Sequence, residues 1–144
     1  YRTNESAKNP FVPKKFEGVP DPPGELGKIG QNMWAGVVGE LFEKGMLYNI
    51  DIGQVFIYCQ EYENYQEAEK MLRTKGRVIE QTNKNGSTNE VASPWIGIKS
   101  KSWEVINRLG DKFGLNPVSR NKIEIPEKPK EDAISLLLKQ KKGQ

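Results

Sequence analysis

Apolar residues recur in a helical rhythm through most of this chain. The clearest case runs from Asn49 to Gly76, NIDIGQVFIYCQEYENYQEAEKMLRTKG, which has no proline and one internal glycine, Gly53. Ile52, Val55, Phe56, Cys59, Tyr62, Tyr65, Ala68 and Leu72 follow one another at spacings of three and four, which lines them along one side of a helix. Asn49 is placed to cap the first free amides, and Asp51 complements the positive end. Lys70, Arg73 and Lys75 crowd the negative end, and Gly76 suits a left-handed C′ position. At about 1.5 Å per residue the element spans roughly 40 Å, long enough to serve as the spine of a small domain or as a subunit interface.

The same rhythm appears on either side. Leu26, Ile29, Met33, Trp34, Val37, Val38, Leu41 and Phe42 predict a first helix that ends at Gly45. Its glycines at 27, 30, 36 and 39 each weaken it by up to ~1 kcal/mol relative to alanine, so close packing on the spine is expected to offset them. Trp34 is then a core residue rather than a stacking platform. The short KGMLY link makes the pair antiparallel. After the spine the period changes: residues 77–92 carry β-branched residues on both sides of Asn85-Gly86, which predicts a small β-hairpin with a two-residue turn. Ser93 as cap and Pro94 as first helical residue open a third helix, with Ile96, Lys99 to Trp103, Ile106, Leu109 and Phe113 in register and Gly114 as its stop. Asn116-Pro117 then starts a short turn through Ser119 and Arg120. Read as a helix-turn-helix, its second element is too short for a recognition helix.

The ends differ from this middle. Residues 1–23 hold prolines at 10, 13, 20, 22 and 23 and read as an extended, mildly basic arm, anchored by Phe11, Val12 and Phe16 and draped over a neighbouring subunit or along a nucleic-acid backbone. Residues 24–122 form the helical core domain. Residues 123–144 are a stiff PEKPK linker and a short amphipathic helix with Ile134, Leu137 and Leu138 on one face, too short to be stable alone and therefore expected to fold on a partner.

Composition changes this picture in one respect. The 144 residues, 35% hydrophobic and 28% charged, suit one soluble domain; the longest apolar run, Met33 to Phe42, is broken by glycines and Glu40, so neither a membrane span nor a secretory signal is expected. The chain opens at Tyr1, which leaves room for a short leader before it. The net charge of +3 hides a segregation. From Asp21 to Ala68 eight acids face Lys28 and Lys44, whereas from Glu69 to Lys122 eleven bases face five acids. Such a split fits a polyanion on one side and a protein or second subunit on the other, or solvated faces that pair between subunits.

Catalytic chemistry finds little material. There is no histidine, and the single cysteine, Cys59, lies on the apolar side of the spine, where a buried structural thiol is expected and no disulfide can form. Without a phosphate-binding loop or a metal-ligand cluster, ATP hydrolysis and hydrolase schemes have no seat, and neither enzyme activity nor a cofactor is expected. The acid pairs Glu61 with Glu63 and Glu40 with Glu43 read as solvated helix residues rather than magnesium ligands.

The ordered set of Trp34 in a first helix, KGMLYNID, a tyrosine-rich helix with YCQEYENY and LRTKG, an Asn-Gly hairpin and LGDKFGLNPVSRNKI resembles the small terminase subunits of tailed phages and prophages. Phe113-Gly114-Leu115-Asn116-Pro117-Val118-Ser119-Arg120 carries most of the likeness, with Asn116 where threonine is usual, and Ser93-Pro94 stands in place of Asn-Pro. The resemblance implies a mainly α fold: an antiparallel helical hairpin with a long central helix, a small β-hairpin, a third helix and a short C-terminal helix. It further implies a ring-shaped homo-oligomer in the host bacterial cytoplasm that recognises double-stranded viral DNA and regulates a large subunit carrying ATPase and nuclease. The basic half then supplies candidate phosphate contacts, Lys70, Arg73, Lys75, Arg77, Lys84, Lys99, Lys101, Arg108, Lys112, Arg120 and Lys122, although Arg120 is equally suited to bridging the helix-ending turn to a neighbouring subunit's acids. Ile134, Leu137 and Leu138 become candidate contacts to the large subunit. A dimeric transcription regulator and a non-enzymatic scaffold remain the competing readings.

Overall fold

The computed structural model describes residues 13–123. Three helices and a hairpin follow in chain order: α1 (Lys28–Glu43), a 3-10 turn (Asn49–Asp51) leading straight into α2 (Ile52–Lys75), β1 (Val78–Thr82), β2 (Thr88–Ala92), α3 (Pro94–Phe113) and the single turn α4 (Pro117–Arg120). The expected tail helix with Ile134, Leu137 and Leu138, and Phe11 and Val12 of the arm, lie outside the described residues.

α2 is the spine, packed most extensively on α3 and next on α1. Tyr65 meets Trp103 and Tyr58 meets Phe113, so the residue numbers rise on one helix as they fall on the other: α2 and α3 run antiparallel, joined by the hairpin. The Gly27 N–H donates to a Glu63 carboxylate oxygen at 3.0 Å, which brings the start of α1 to the middle of α2 and makes that pair antiparallel as well. One core fills the end of the molecule away from the hairpin. Leu26, Trp34, Val38 and Leu47 from the α1 side meet Val55, Tyr58 and Cys59 of α2 and Ile106 and Leu109 of α3. Toward the hairpin the buried positions are small, Ala68 on α2 and Ser102 on α3, so the helices approach closely where there is no large side chain between them.

Several local expectations need correcting. Asn49 does not cap the spine; Tyr48 holds the cap position, its N–H donating to the Asp51 carboxylate at 3.0 Å, while the Asn49 N–H goes to the Lys14 carbonyl. Residues 13–23 therefore lie along the chain's own helices, with Phe16 packed on the core and the Trp34 indole N–H donating to the Pro20 carbonyl at 3.0 Å. Of the four glycines in the first helix, Gly27 and Gly30 do face the spine, where a Cβ on Gly27 would sit 2.0 Å from a Glu63 oxygen, but Gly36 and Gly39 face open space. Glu63 is accordingly no idle solvated acid: it satisfies a free amide at the positive end of α1.

Gly76 has φ +84° and ψ 171°, an extended mirror conformation rather than the left-handed helical one, because the chain leaves α2 directly into a strand. The hairpin is present, with Ile79 opposite Val91, but its loop is longer than two residues. Thr82 still pairs with Thr88, the Asn83 N–H donates to the Ser87 carbonyl and the Gly86 N–H to the Asn83 carbonyl. Gly86 alone in the loop takes a positive φ, so Asn85 and Gly86 close a turn that starts at Asn83, a geometry that needs one glycine and no left-handed asparagine. Ser93 stands at the cap position of α3, yet its buried hydroxyl has no partner; its backbone N–H instead closes the base of the hairpin on the Arg77 carbonyl at 2.8 Å. The end of α3 follows expectation. Gly114 is left-handed, the Leu115 N–H returns to the Gly110 carbonyl, and the Asn116 side chain accepts from the Ser119 N–H at 2.8 Å.

Candidate nucleic-acid interface

Because the hairpin joins the C-terminal end of α2 to the N-terminal end of α3, the chain brings Lys70, Arg73, Lys75, Arg77, Lys84, Lys99 and Lys101 to one end of the molecule. Arg108 and Lys112 lie seven and eleven residues further along α3 than Lys101, roughly 10 and 16 Å away, and Arg120 and Lys122 follow beyond its C-terminal end. The single basic half of the sequence is thus two groups in space. The seven at the hairpin end share it with Glu69, Glu80 and Glu90.

Most of those seven side chains stand in solvent; Lys99 is the half-buried exception. Its ammonium bonds Glu69 and lies 5.5 Å over the centre of the Tyr65 ring, while the Arg73 Nε donates to the same carboxylate at 2.9 Å. Those hydrogen bonds, first Lys99 and then Arg73, hold the Glu69 carboxyl below its ordinary range, so it stays charged and neutralises part of the cluster. These are the two ion pairs found among the described residues. Lys70, Lys75, Arg77, Lys84 and Lys101 form none there and keep their donors for an anion. On α3, Lys101, Arg108 and Lys112 share an exposed stripe with Glu104 and Asp111, which dilutes its charge. Arg120 turns back on its own chain: an Nη donates to the Gly114 carbonyl at 3.5 Å, beside the left-handed turn that ends α3.

Two strands with both edges free carry the cluster outward. From Gln81 to Glu90 every residue is exposed, and Glu80 sits directly opposite Glu90, a like-charged pair that weakens the hairpin's own cohesion. Trp103, placed in the helical register of α3, is 52% exposed. The line through Ile106, Leu109 and Phe113 passes back through Ser102, so Trp103 falls about 100° around the helix, where it lies against Tyr65 with ring centroids 5.8 Å apart.

The remaining titratable feature is inert. Cys59 is fully buried, and burial pushes its thiol up to about 12, so no thiolate is available near neutral pH. No group of three or more potential metal ligands occurs among the described residues, and no described helix is long and apolar enough to cross a membrane.

Comparison with known proteins gives one result. A family model described as phage terminase, small subunit, matches residues 30–130. No curated protein and no solved structure matches the chain.

Proposed function

This chain belongs to the phage terminase small-subunit family, whose business is phage DNA packaging, and from that premise we propose that it is the DNA-recognising component of the packaging machinery. The observation that carries this reading is the group of exposed cations at the hairpin end, Lys70, Lys75, Arg77, Lys84 and Lys101, which find no carboxylate among the described residues. Cations so arranged bind a phosphate backbone by displacing its condensed counterions, and affinity falls steeply as salt rises. Lys99 and Arg73 contribute less because Glu69 already occupies them. Arg108, Lys112 and Lys122 form a second, weaker set of phosphate contacts, and Arg120 serves the turn that ends α3.

Features of α1 and α2 favour self-assembly into a ring. Ile29 on α1 and Ile57 on α2 are apolar and exposed, and open space beside Gly36 and Gly39 lets another helix come close. The acidic surface of α1 and α2 then meets basic residues of the next copy, a head-to-tail contact that closes into a ring when the rotation allows. In this scheme Ile134, Leu137 and Leu138 engage the large subunit, which holds the ATPase and nuclease and which this subunit regulates. The four residues of α4 are too few for a recognition helix, which weighs against the regulator that would use α3 and the Asn116-Pro117 turn on an operator.

The test is a titration of labelled duplex DNA at several salt concentrations, with native mass spectrometry of the assembly. A closed ring with a steep negative salt dependence is expected. A dimer would favour a regulator, and absence of salt-dependent retention would leave only a scaffold.

A further inference from the structure

We infer that the cleft between α2 and α3 at the cationic end holds an unpaired nucleobase, so that the protein takes single-stranded DNA as well as duplex. This deepens the DNA-binding reading above and rests on it. The cleft is open and has a volume of about 380 Å³. Tyr65, Leu72, Ile96 and Trp103 give it its apolar lining. Its rim carries Arg77, Lys99 and the exposed Ser100.

Each part answers to a part of a nucleotide. The Trp103 indole is half in solvent and backed by Tyr65 at 5.8 Å, so a flat apolar group can stack on it without displacing any core residue. Every base offers such a face, but only when it is out of the double helix; duplex DNA would present phosphates alone to this cleft. Arg77 makes no ion pair among the described residues and meets phosphate charge at the rim, while Lys99, whose charge Glu69 offsets, has two donors left for hydrogen bonds. The Glu69 charge does not oppose the strand, because Lys99 and Arg73 already hold it. The Ser100 hydroxyl donates and accepts, which suits any base edge. A stacking platform beside cations, with no fixed hydrogen-bond pattern, is the chemistry of a single-strand site without sequence preference.

The experiment uses the full chain in its native assembly. An oligothymidylate of about 16 nucleotides, an abasic strand of equal length and a mixed-sequence duplex are compared by fluorescence anisotropy. Trp103→Ala is expected to lower affinity for oligothymidylate by roughly tenfold or more and to leave duplex binding unchanged, whereas Trp103→Phe keeps most of the single-strand affinity. An abasic strand that binds wild type as well as oligothymidylate, or a Trp103→Ala variant that keeps its single-strand affinity, overturns the site and leaves the duplex reading standing. Loss of all DNA binding by wild type removes both. A Trp103 shielded from acrylamide quenching in the DNA-free assembly assigns the cleft to a second copy of the chain and also overturns the proposal. Should Trp103→Ala fail to fold, photo-crosslinking of a bromodeoxyuridine strand to wild type decides: an adduct on Tyr65 or Trp103 supports the site, and adducts confined to other residues overturn it.

Discussion

Around Trp34 the helices meet through large side chains that water does not reach, whereas around Trp103 α2 and α3 meet through Ala68 and Ser102 and leave an indole half in solvent. Trp34 is 1% exposed and its indole N–H is satisfied by Pro20. Trp103 rests on Tyr65 and is 52% exposed. One end of the molecule thus uses its apolar surface to hold itself together, and the other keeps apolar and cationic groups available to something else. The lesson lies in the small residues. Ala68 and Ser102 let two helices stay close without a thick core, so large side chains nearby are released to the surface.

The sharpest way to break this comparison is to truncate both tryptophans and measure stability by urea unfolding. Trp34→Ala is expected to cost about 3–5 kcal/mol, because it empties the core and strands the Pro20 carbonyl. Trp103→Ala should cost about 1 kcal/mol or less. Equal losses would mean that the two ends do not differ in kind.

A second pair tests the glycines. Gly27→Ala places a Cβ on the Glu63 carboxylate and breaks its bond to the α1 amide, so a loss of about 1–3 kcal/mol is expected. Gly36→Ala meets nothing within 4 Å and should raise helix stability by up to ~1 kcal/mol in thermal unfolding. Next in size, Asn116→Ala removes the side-chain cap on Ser119 and is expected to cost about 1 kcal/mol by the same urea assay.

Cys59 supplies a pH test of how dry the core end is. Its thiol is held up to about 12 in the fold, against an ordinary value near 9.0. The unfolded chain releases that proton first, so the contribution to stability is intact below about 9 and is lost as pH climbs from there through about 12. Unfolding midpoints measured across that range should fall, and a thiol reagent should react at neutral pH only when the protein unfolds.

The smallest effect on stability is expected at the hairpin end. Arg77→Glu and Lys101→Glu should each change unfolding free energy by no more than about 0.5 kcal/mol, since neither makes an ion pair among the described residues. Each should nonetheless reduce the slope of duplex affinity against salt by about 0.9 for every phosphate contact removed. Unchanged slopes in both variants would take this end off the DNA surface.

Much of the architecture is legible in the residues alone. The three-and-four spacing from Ile52 to Leu72 gives the spine, Pro94 and Gly114 bracket α3, and Asn116 caps the last turn, because these signals act within a few residues of chain. The cationic candidates were visible as residue types. Their division between two ends, and the capture of Lys99 and Arg73 by Glu69, were not.

What the sequence by itself determined is the three main helices, the hairpin and the segregation of acids from bases, since periodicity, caps and charge are properties of short stretches. What only the tertiary structure decided is which side chains those elements keep and which they offer. Glu63 became the cap of a helix 36 positions earlier in the chain, Gly36 came to face open space while Gly27 did not, and Trp103 was turned outward beside Tyr65. Those outcomes follow from antiparallel packing around α2, which sets distant residues at the same height, and no local pattern encodes which of them will meet.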